Sequence, residues 1–586
     1  MPDSTANSSL RFAIMCGESG LSDVAHKCVE LITKDRLAEP VLLIVDLSKS
    51  TRSSMAVKIR KGLRLNGNLW ALQSKFFPVR QIQAYQRSAL PDQCFYGVDR
   101  LRCQPTRKGT WSYHFSAKEV SAIRGYQLDF ILKFTPFIIR GDVLTAARYG
   151  IWSYHHDDEE KYRGGPPAFW EILKGDPVTA AVLQRLTDRL DGGVVLKHCY
   201  VPTDGRSYRR NLQQIQASSA HMVRWVCLDI KAGRADYLLA PPSATRAPIR
   251  RAPNDLQMLC FWWRLARNWV SYRLANQRID EWNVAVINAP QAAFLDPEFK
   301  AGFEWTNYRE PGQMVADPFL VPTSEGLRIL VEEFNWATEK GRICEIRRVN
   351  GETGGLGLIT PVIDEGIHMS YPFTFRHDGV TYAIPETGVT RNVNLYRLEE
   401  ESGAWIRLTT LIENIDAVDA TVVELNGTWW LMHSGSKEFG PWSLYIWHAP
   451  SLLGPWQPHI ANPVKTDVGS SRPAGNLFWH EGILYRPAQD GRLSYGGALA
   501  INRIDELTPE RFSESIVRRI LPDPEGPYPD GLHTLSGFGG VSVVDGNRHR
   551  WPPLLLARRW LAKRLGLAPP GFRYARMSQA RLLPMV

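Results

Sequence analysis

The sequence predicts two different folds in one chain: a doubly wound α/β domain over residues 1–230 and an all-β five-bladed propeller over residues 282–548. In the first part, apolar runs alternate with helical patterns, as in a parallel sheet whose strands are joined by helices. In the second part, short strands dominate and a motif recurs at intervals of about 45–60 residues. A proline-marked linker with a helix (231–281) joins the two domains, and a basic tail (549–586) ends the chain.

Length and composition indicate a folded, multidomain protein. The chain has 586 residues, of which 44% are hydrophobic and 22% are charged, a balance typical of globular domains. Its eight cysteines are scattered without a C-x-x-C pair, so we expect reduced thiols and no zinc site built from cysteines. We predict no metal ligands elsewhere in the sequence. The sequence has no signal-like first segment and no apolar run of about 18 residues, so we expect a cytoplasmic protein.

The net charge of +10 does not predict a specific nucleic-acid partner. Much of the excess lies after Trp551, where Lys and Arg occur without Asp or Glu. We interpret this segment as a solvated basic tail. Weak contact of the tail with a membrane surface or an acidic partner stays an alternative.

The elements of the α/β domain follow in order. Residues 11–16 (RFAIMC) and 40–46 (PVLLIVD) are typical of buried parallel strands, with a helical pattern between them. Residues 128–132 and 149–154 continue the alternation. Ligands of such sheets bind at the carboxyl ends of the strands, and His155 directly follows one of these ends.

Candidate chemistry is densest in residues 150–193, where His155 and Asp191 form a potential acid–base pair. The stretch contains four motifs in order: Ser153-Tyr-His155, Lys161-Tyr-Arg163-Gly164-Gly-Pro-Pro, Gly175-Asp176-Pro-Val-Thr and Leu190-Asp191-Gly192-Gly193. These motifs resemble the core of the formyltransferases that use 10-formyltetrahydrofolate. That family includes methionyl-tRNA formyltransferase and the sugar formyltransferases.

The resemblance implies 10-formyltetrahydrofolate as the formyl donor and a primary amine as the acceptor. Attack of the amine on the formyl carbon creates an oxyanion that needs hydrogen-bond donors, and the amine must lose a proton to a base. By resemblance, His155 serves the oxyanion, while Asp191 orients His155 and helps to move the proton. The residues that the resemblance places against the folate are Pro136, Phe137, Ile138, Arg163 and Gly164.

The chain departs from the family pattern at three places. Ser153 stands where the family has Asn, and losing one oxyanion donor costs about 3–4 kcal/mol in other enzymes. Either Ser153 is a catalytic residue that reaches the oxyanion through a water molecule, or another donor replaces it, or formyl transfer is slow or absent. The run His156-Asp-Asp-Glu-Glu160 is either a solvated loop, which we favour, or an acidic lip that attracts a cationic amine. Ala180 replaces a family Gly.

Residues 231–281 form the connection between the domains. Ala240-Pro-Pro and Arg251-Ala-Pro are typical of an extended linker. Residues 256–274 are predicted to be a helix whose tryptophans pack in a core or between domains. Contact of this helix with a membrane is the alternative.

A loose repeat runs through the all-β part. Its units begin Ala316-Asp317-Pro-Phe, Ser370-Tyr371-Pro-Phe, Val418-Asp419-Ala-Thr, Ser471-Arg472-Pro-Ala and Leu532-His533-Thr-Leu. Such units are typical of four-stranded propeller blades, whose inner strands direct polar residues to a common centre. The candidate pocket residues are Asp317, Glu386, Asp419, Arg472 and His533.

This half of the chain resembles the propellers of glycoside hydrolases. It resembles more closely the amino-terminal domain of plant glucosamine inositolphosphorylceramide transferases. The motifs that carry the resemblance are His368-x-Ser-Tyr-Pro-Phe, Pro385-Glu386-Thr, Arg472-Pro-Ala-Gly and Arg486-Pro-Ala-Gln-Asp490.

Two functions stay open. The first is formyl transfer to a small-molecule amine, an amino sugar or a glycoconjugate, with the propeller binding the glycan. The second is a glycan-binding or glycan-processing propeller whose α/β domain no longer catalyses. Paired carboxylates among Asp317, Glu386 and Asp419 suit glycosidic cleavage, although such acids also cap inner strands. Formylation of a non-sugar amine or hydrolysis of the donor is a weaker alternative, and a propeller in place of the family's small barrel does not favour tRNA.

Overall fold

The structure is a computed structural model. It describes residues 9–18, 20–48, 68–76, 97–109, 112–189, 192–275, 278–308, 310, 312–321, 327–348, 359–435 and 440–550. The chain forms two compact units, residues 1–269 and residues 270–586, which we call unit 1 and unit 2.

Unit 1 combines one large sheet with helices. Its strands are β1 (Leu10–Gly17), β2 (Ala38–Asp46), β3 (Asp99–Cys103), β4 (Thr106–Lys108), β5 (Ser112–His114), β6 (Phe130–Lys133), β7 (Ile138–Arg140), β8 (Ile151–His155), β9 (Arg163–Gly164), β10 (Val178–Arg185), β11 (Val194–Pro202) and β12 (Ile249–Arg250). Its helices are α1 (Asp23–Lys34), α2 (Asn68–Phe76), α3 (Ala117–Arg124), α4 (Trp170–Lys174), α5 (Tyr208–Ser219) and α6 (Met222–Lys231), and α7 (Asp255–Ala275) follows them.

The large sheet has the strand order β11-β10-β8-β6-β1-β2-β3. Strands β8, β6, β1, β2 and β3 pair in parallel, whereas β10 and β11 are antiparallel. The apolar runs predicted as parallel strands are β1, β2, β6 and β8, which are buried on both faces as expected for strands covered by helices. The prediction of an α/β domain is confirmed.

Two of the helices begin at a serine whose side chain caps the first turn. The Ser22 hydroxyl accepts a hydrogen bond from the Ala25 N–H and caps α1. Ser116 and Glu119 cap α3 reciprocally, each side chain accepting from the backbone N–H of the other residue. These caps fix where the connections between strands turn into helices.

The predicted helix over residues 256–274 is α7. Its buried face carries Met258 and Phe261, and the Phe261 ring stacks on Phe169 with a centroid separation of 4.3 Å. Trp263 and Trp269 are exposed, so the prediction that the tryptophans pack in a core is wrong for these two side chains. No helix among the described residues has the length and apolar character to cross a membrane.

Unit 2 is built from antiparallel strands. They are β13 (Ile279–Ile287), β14 (Glu304–Trp305), β15 (Gln313–Leu320), β16 (Leu327–Asn335), β17 (Lys340–Arg348), β18 (Ile359–Ile363), β19 (Ser370–His377), β20 (Val380–Glu386), β21 (Val393–Glu399), β22 (Ala404–Ile412), β23 (Val418–Leu425), β24 (Thr428–Ser434), β25 (Ser443–Ala449), β26 (Gln457–Pro458), β27 (Lys465–Thr466), β28 (Phe478–His480), β29 (Ile483–Asp490), β30 (Ala498–Thr508), β31 (Arg511–Ile520), β32 (Leu535–Phe538) and β33 (Val541–Arg550).

These strands form a series of small sheets. Four of them consist of strands consecutive in the chain, β15–β18, β19–β22, β23–β26 with β27, and β28–β31. A further sheet, β14-β13-β33-β32, joins the two ends of the unit, because β13 pairs with β33 from Ile279↔Arg550 to Ile287↔Ser542. The prediction that the second part is all-β is confirmed for the described residues, and the five-bladed arrangement stays a prediction.

The predicted tail begins within the last strand of unit 2. Strand β33 continues to Arg550, two residues into the predicted tail, and residues 551–586 lie outside the described part of the chain.

Candidate functional site

Ser153 and His155 lie on one face of β8, close to the carboxyl end of this strand. Side chains two residues apart on a strand point to the same side. Strand β8 lies between β6 and β10, where Ser153 is in register with Lys133 on one side and Gln184 on the other. The predicted serine and histidine are therefore at the edge of the sheet where α/β folds bind ligands.

A carboxylate lies beside His155. His155 Nε2 is 3.6 Å from Asp157 Oδ2, and the Asp157 side chain is 1% exposed. Asp157 Oδ1 accepts a hydrogen bond of 2.9 Å from the Ala168 N–H, which fixes the carboxylate. Asp191 lies outside the residues that the structure describes, so the predicted His155–Asp191 pair stays a prediction.

The acidic run after His155 is not a solvated loop. Asp157 and Glu159 are buried, and only Glu160 at its end is exposed. Burial lowers the pKa of His156 to about 3 and raises the pKa of Glu159 to about 7. The favoured interpretation of this run is wrong for Asp157 and Glu159, because their side chains turn into the protein.

The Arg163–Gly164 turn is held by a second segment of the same unit. β9 pairs with β12, and an Arg163 guanidinium nitrogen donates to the Ala247 carbonyl at 3.3 Å. Gly164 has a φ of +95°, and a Cβ at this position would lie 2.1 Å from the Arg250 carbonyl oxygen. This close approach requires glycine, so both residues have a structural role, and their predicted contact with folate stays a prediction.

The other predicted folate contacts follow the carboxyl end of β6. Pro136 is exposed, Phe137 packs against Tyr113 with a ring separation of 4.7 Å, and Ile138 begins β7. Together these three residues form a partly exposed apolar stretch of chain between β6 and β8. Their predicted contact with the donor remains to be tested.

In unit 2, the first three repeats share an unusual backbone conformation. Asp317, Tyr371 and Asp419 have φ values of 51°, 44° and 55°, and the strand register shifts at each of them. Such bulges with a left-handed residue redirect a side chain and cost conformational energy. Arg472 and His533 occupy the matching positions of the last two units, ahead of β28 and β32.

Hydrogen bonds connect these positions. Asp317 Oδ2 accepts from the Tyr371 N–H at 3.2 Å, and Asp317 Oδ1 accepts from the Thr534 hydroxyl at 3.0 Å. His533 Nε2 is 3.4 Å from Asp317 Oδ1, and His533 Nδ1 is 2.6 Å from Asp545 Oδ2. We call Asp317, His533 and Asp545 the acidic centre.

A second group of contacts lies around Asp419. Its Oδ2 accepts from Arg472 Nε and, at 3.0 Å, from Gln489. The Arg472 guanidinium lies over the Tyr495 ring, 5.1 Å from its centroid. Burial lowers the pKa of Arg472, but Asp419, Tyr495 and buried Glu386 outweigh it and raise the pKa overall.

The pKa values in the acidic centre reflect its crowding. Burial and the neighbouring carboxylates raise the pKa of Asp317, against the opposing effect of His533. Burial lowers the pKa of His533, but Asp545 and Asp317 outweigh it and raise the pKa overall. The imidazole therefore favours its protonated form between the two carboxylates.

The acidic centre is also the group of described residues that offers ligands for a metal ion, with ligand atoms within 4.8 Å of one another. However, Asp545 Oδ1 already accepts from the backbone N–H groups of His533 and Thr534, at 2.9 and 3.0 Å. These two hydrogen bonds engage one oxygen of the Asp545 carboxylate within the chain.

Sequence reasoning missed several residues of these sites. Tyr371 occupies the same repeat position as Asp317 and Asp419, so an alignment of the repeat units signals it. Asp545 and Trp282, which stacks on His533 at 4.0 Å, come from β33 and β13 and carry no local signal. In unit 1, Lys133 and Asp157 were missed.

Comparisons with known proteins find relatives of two kinds. Residues 277–525 match the family described as glucosamine inositolphosphorylceramide transferase 1, N-terminal. The rice protein of that name (Oryza sativa subsp. japonica) is 32% identical over 255 residues, which are 41% of this chain and 34% of the rice protein. Methionyl-tRNA formyltransferase of Phenylobacterium zucineum is 32% identical over 120 residues, 20% of this chain and 39% of that protein.

The chain is thus similar to the N-terminal part of glucosamine inositolphosphorylceramide transferase 1 over residues 277–525 and to a methionyl-tRNA formyltransferase over a stretch of 120 residues. It spans about a third of the length of the curated relatives that it matches. Among solved structures, a sugar 3N-formyl transferase, WlaRD, covers 42% of this chain and 70% of its own, with 12% identity and a TM-score of 0.25.

Proposed function

We propose that the protein transfers the formyl group of 10-formyltetrahydrofolate to an amine of a sugar or glycoconjugate. The observation that carries the proposal is the position of Ser153 and His155 on one face of β8, with Asp157 beside His155. Similarity of 120 residues of the chain to a methionyl-tRNA formyltransferase supports the formyl donor. Similarity of residues 277–525 to glucosamine inositolphosphorylceramide transferase 1 supports a sugar-containing acceptor.

Formyl transfer makes two demands on unit 1. The tetrahedral intermediate places negative charge on the former formyl oxygen, and the attacking nitrogen must lose a proton. An N–H group of the His155 ring donates to the oxyanion, and the Asp157 carboxylate lies 3.6 Å from the Nε2 atom of this ring. Folate supplies the formyl group, while the chain orients the reactants and moves the proton.

We further propose that the sheets of unit 2 are the blades of a five-bladed propeller whose polar centre binds the glycan. Two observations support this arrangement. The pairing of β13 with β33 joins the ends of the unit, as in closed propellers. Of the five equivalent repeat positions, Asp317 contacts Tyr371 and His533, and Asp419 contacts Arg472.

A second candidate function is glycan binding without formyl transfer, and it is favoured by Ser153 in place of the family Asn. Glycoside hydrolysis finds less support. Hydrolysis needs one carboxyl group that protonates the glycosidic oxygen and another that activates water or attacks the sugar. In this chain, the Asp317 carboxylate accepts hydrogen bonds from Tyr371 and Thr534, and Asp419 Oδ2 accepts from Arg472 and Gln489. Carboxylate oxygens engaged in this way are not positioned to act on a glycosidic bond or a water molecule.

The decisive experiment incubates the full chain with 10-formyltetrahydrofolate and a panel of amino sugars and follows the release of tetrahydrofolate. We expect turnover that falls at least about a hundredfold in His155→Ala. The control is His480→Ala, a histidine on β28 of unit 2 whose side chain is 42% exposed, which keeps the wild-type rate. Glycan binding without turnover, unchanged in His155→Ala, supports the second candidate instead.

A further inference from the structure

Lys133 is an unusual residue for its location. It is the last residue of β6, a strand that is otherwise apolar, and it is only 8% exposed. Lysine is seldom buried to this degree unless its ammonium group is paired. Here Nζ donates one hydrogen bond, of 2.5 Å, to the Thr135 carbonyl.

The ammonium group lies on the face of the sheet that carries the candidate site. Lys133 is in register with Ser153 on β8, so the two side chains leave the sheet on the same side. On β1, Met15 is in register with Lys133, and Gly17 is in register with Asp46 of β2. The Asp46 carboxylate therefore also faces this side.

Polar atoms around Lys133 have unused hydrogen-bonding capacity. Asp46 Oδ1 accepts from the Ser48 N–H, whereas its buried Oδ2 has no hydrogen-bond partner among the described residues. The buried Thr135 hydroxyl likewise has none within the described part of the chain. An ammonium group offers three N–H donors, and one bond to a carbonyl leaves capacity for a ligand atom.

Electrostatics favour a role for this ammonium group in stabilising negative charge. Burial lowers the pKa of Lys133 to about 8, while Asp46 acts in the opposite direction. Near neutral pH the group is therefore mainly protonated. A cation that is shielded from water interacts with an anion far more strongly than an exposed one.

We propose that Lys133 is a catalytic residue that donates a hydrogen bond to the formyl oxygen and so replaces the donor that Ser153 does not supply. The inference rests on the proposed formyl transfer. As the amine nitrogen bonds to the formyl carbon, the carbonyl π electrons move to the oxygen, where Lys133 and His155 donate. The carbon–N10 bond then breaks, the oxygen regains its double bond, and N10 receives the proton that the amine loses.

The test combines turnover with a binding measurement that does not depend on turnover. Full-length wild type and Lys133→Met are compared in formyl transfer and in binding of 10-formyl-5,8-dideazafolate, a stable donor analogue, and of its unformylated counterpart. We expect Lys133→Met to slow transfer about 10²–10³-fold. We expect it to weaken binding of the formylated compound about tenfold and to leave binding of the unformylated one unchanged.

Two further variants separate catalysis from structure. Lys197→Met is the matched control, because Lys197 lies on β11 of the same sheet and pairs with Asp229 at 2.7 Å, away from β6. Ser153→Asn supplies the missing amide, so adding it to Lys133→Met restores at least about a tenth of the lost rate. A structural defect at Lys133 is not repaired by that change.

The outcomes distinguish the two proposals. Turnover in the wild type with equal binding of both compounds by wild type and Lys133→Met overturns the role of Lys133 alone. Donor binding that depends on Lys133, without turnover on any amine, contradicts the proposed function but supports the contact with the formyl oxygen. A wild type that binds neither compound overturns both.

Discussion

Asp545→Asn is expected to destabilise unit 2 strongly. The buried Asp545 carboxylate accepts from the backbone N–H groups of His533, Thr534 and Asp317 at 2.9, 3.0 and 3.2 Å, and lies 2.6 Å from His533 Nδ1. Asparagine keeps one acceptor oxygen and turns an NH₂ group towards donors, so it loses at least two of these contacts. Two lost hydrogen bonds to a charged group, at about 1.5–3 kcal/mol each, sum to about 3–6 kcal/mol. Removing one partner of a buried ion pair costs about 3–5 kcal/mol, and we expect a loss in this range.

Hydrogen–deuterium exchange of the full chain measures this loss in each unit separately. Peptides from β32 and β33 should exchange roughly a hundredfold to several thousandfold faster in Asp545→Asn, while peptides from β1 and β2 stay unchanged. The control is Asp505→Asn, because Asp505 pairs with Arg503 at a partly exposed site where such a pair contributes about 0–1 kcal/mol. An effect of Asp545→Asn no larger than this control refutes the reasoning.

Two further predictions concern unit 1. Burial raises the pKa of Glu171 to about 8, and neither of its carboxyl oxygens has a hydrogen-bond partner among the described residues. The folded state therefore keeps a proton that the unfolded state has lost, and stability falls as pH rises from about 4.5 to 8. Between pH 6 and 8, urea unfolding should show the wild type losing roughly 2–3 kcal/mol relative to Glu171→Gln; parallel pH profiles contradict this. Gly164→Ala forces a Cβ against the Arg250 carbonyl and should cost more than about 2 kcal/mol, whereas Gly233→Ala, with positive φ but open space, should cost about 1 kcal/mol. Equal losses in the two glycine variants would show that the close approach is unimportant.

The central strands of unit 1 could be predicted because their signal is local. Residues 11–16 and 40–46 lie within β1 and β2, since strands buried on both faces read as continuous apolar runs. By contrast, β3 (DRLRC) is largely exposed and charged, so no apolar run marks it. Its place at the edge of the sheet is set by pairing with β2, which the sequence of either strand alone does not contain.

The residues of the candidate site also differ in whether a local sequence signal predicts them. Ser153 and His155 could be placed because they end a recognisable strand. Lys133 comes beside Ser153 only through the register of β6 against β8, a non-local property. The burial of Asp157 was missed because the polar sequence around it is typical of a solvated loop, whereas in the structure it bonds to the Ala168 N–H.

Two of the three residues in the acidic centre, Asp317 and His533, were predicted from their positions in the repeat and not from the chemistry of their side chains. Asp317 and His533 come together across 216 positions of sequence because they hold equivalent places in their repeat units. Asp545, which fixes His533, lies on β33 outside the repeat motif, and its role follows only from the pairing of β32 with β33. Repeat symmetry thus predicts which side chains meet, and tertiary pairing decides what holds them.

Transfer of a formyl group by unit 1 is the activity on which both proposals rest. The most direct measurement supplies 10-formyltetrahydrofolate with an isotope-labelled formyl carbon, together with an amino sugar, and analyses the products by mass spectrometry. We predict that the label appears as an N-formyl group on the sugar, with one tetrahydrofolate released per transfer, and that His155→Ala abolishes it. Label that stays on the folate, or is released as formate without reaching any amine, contradicts the account.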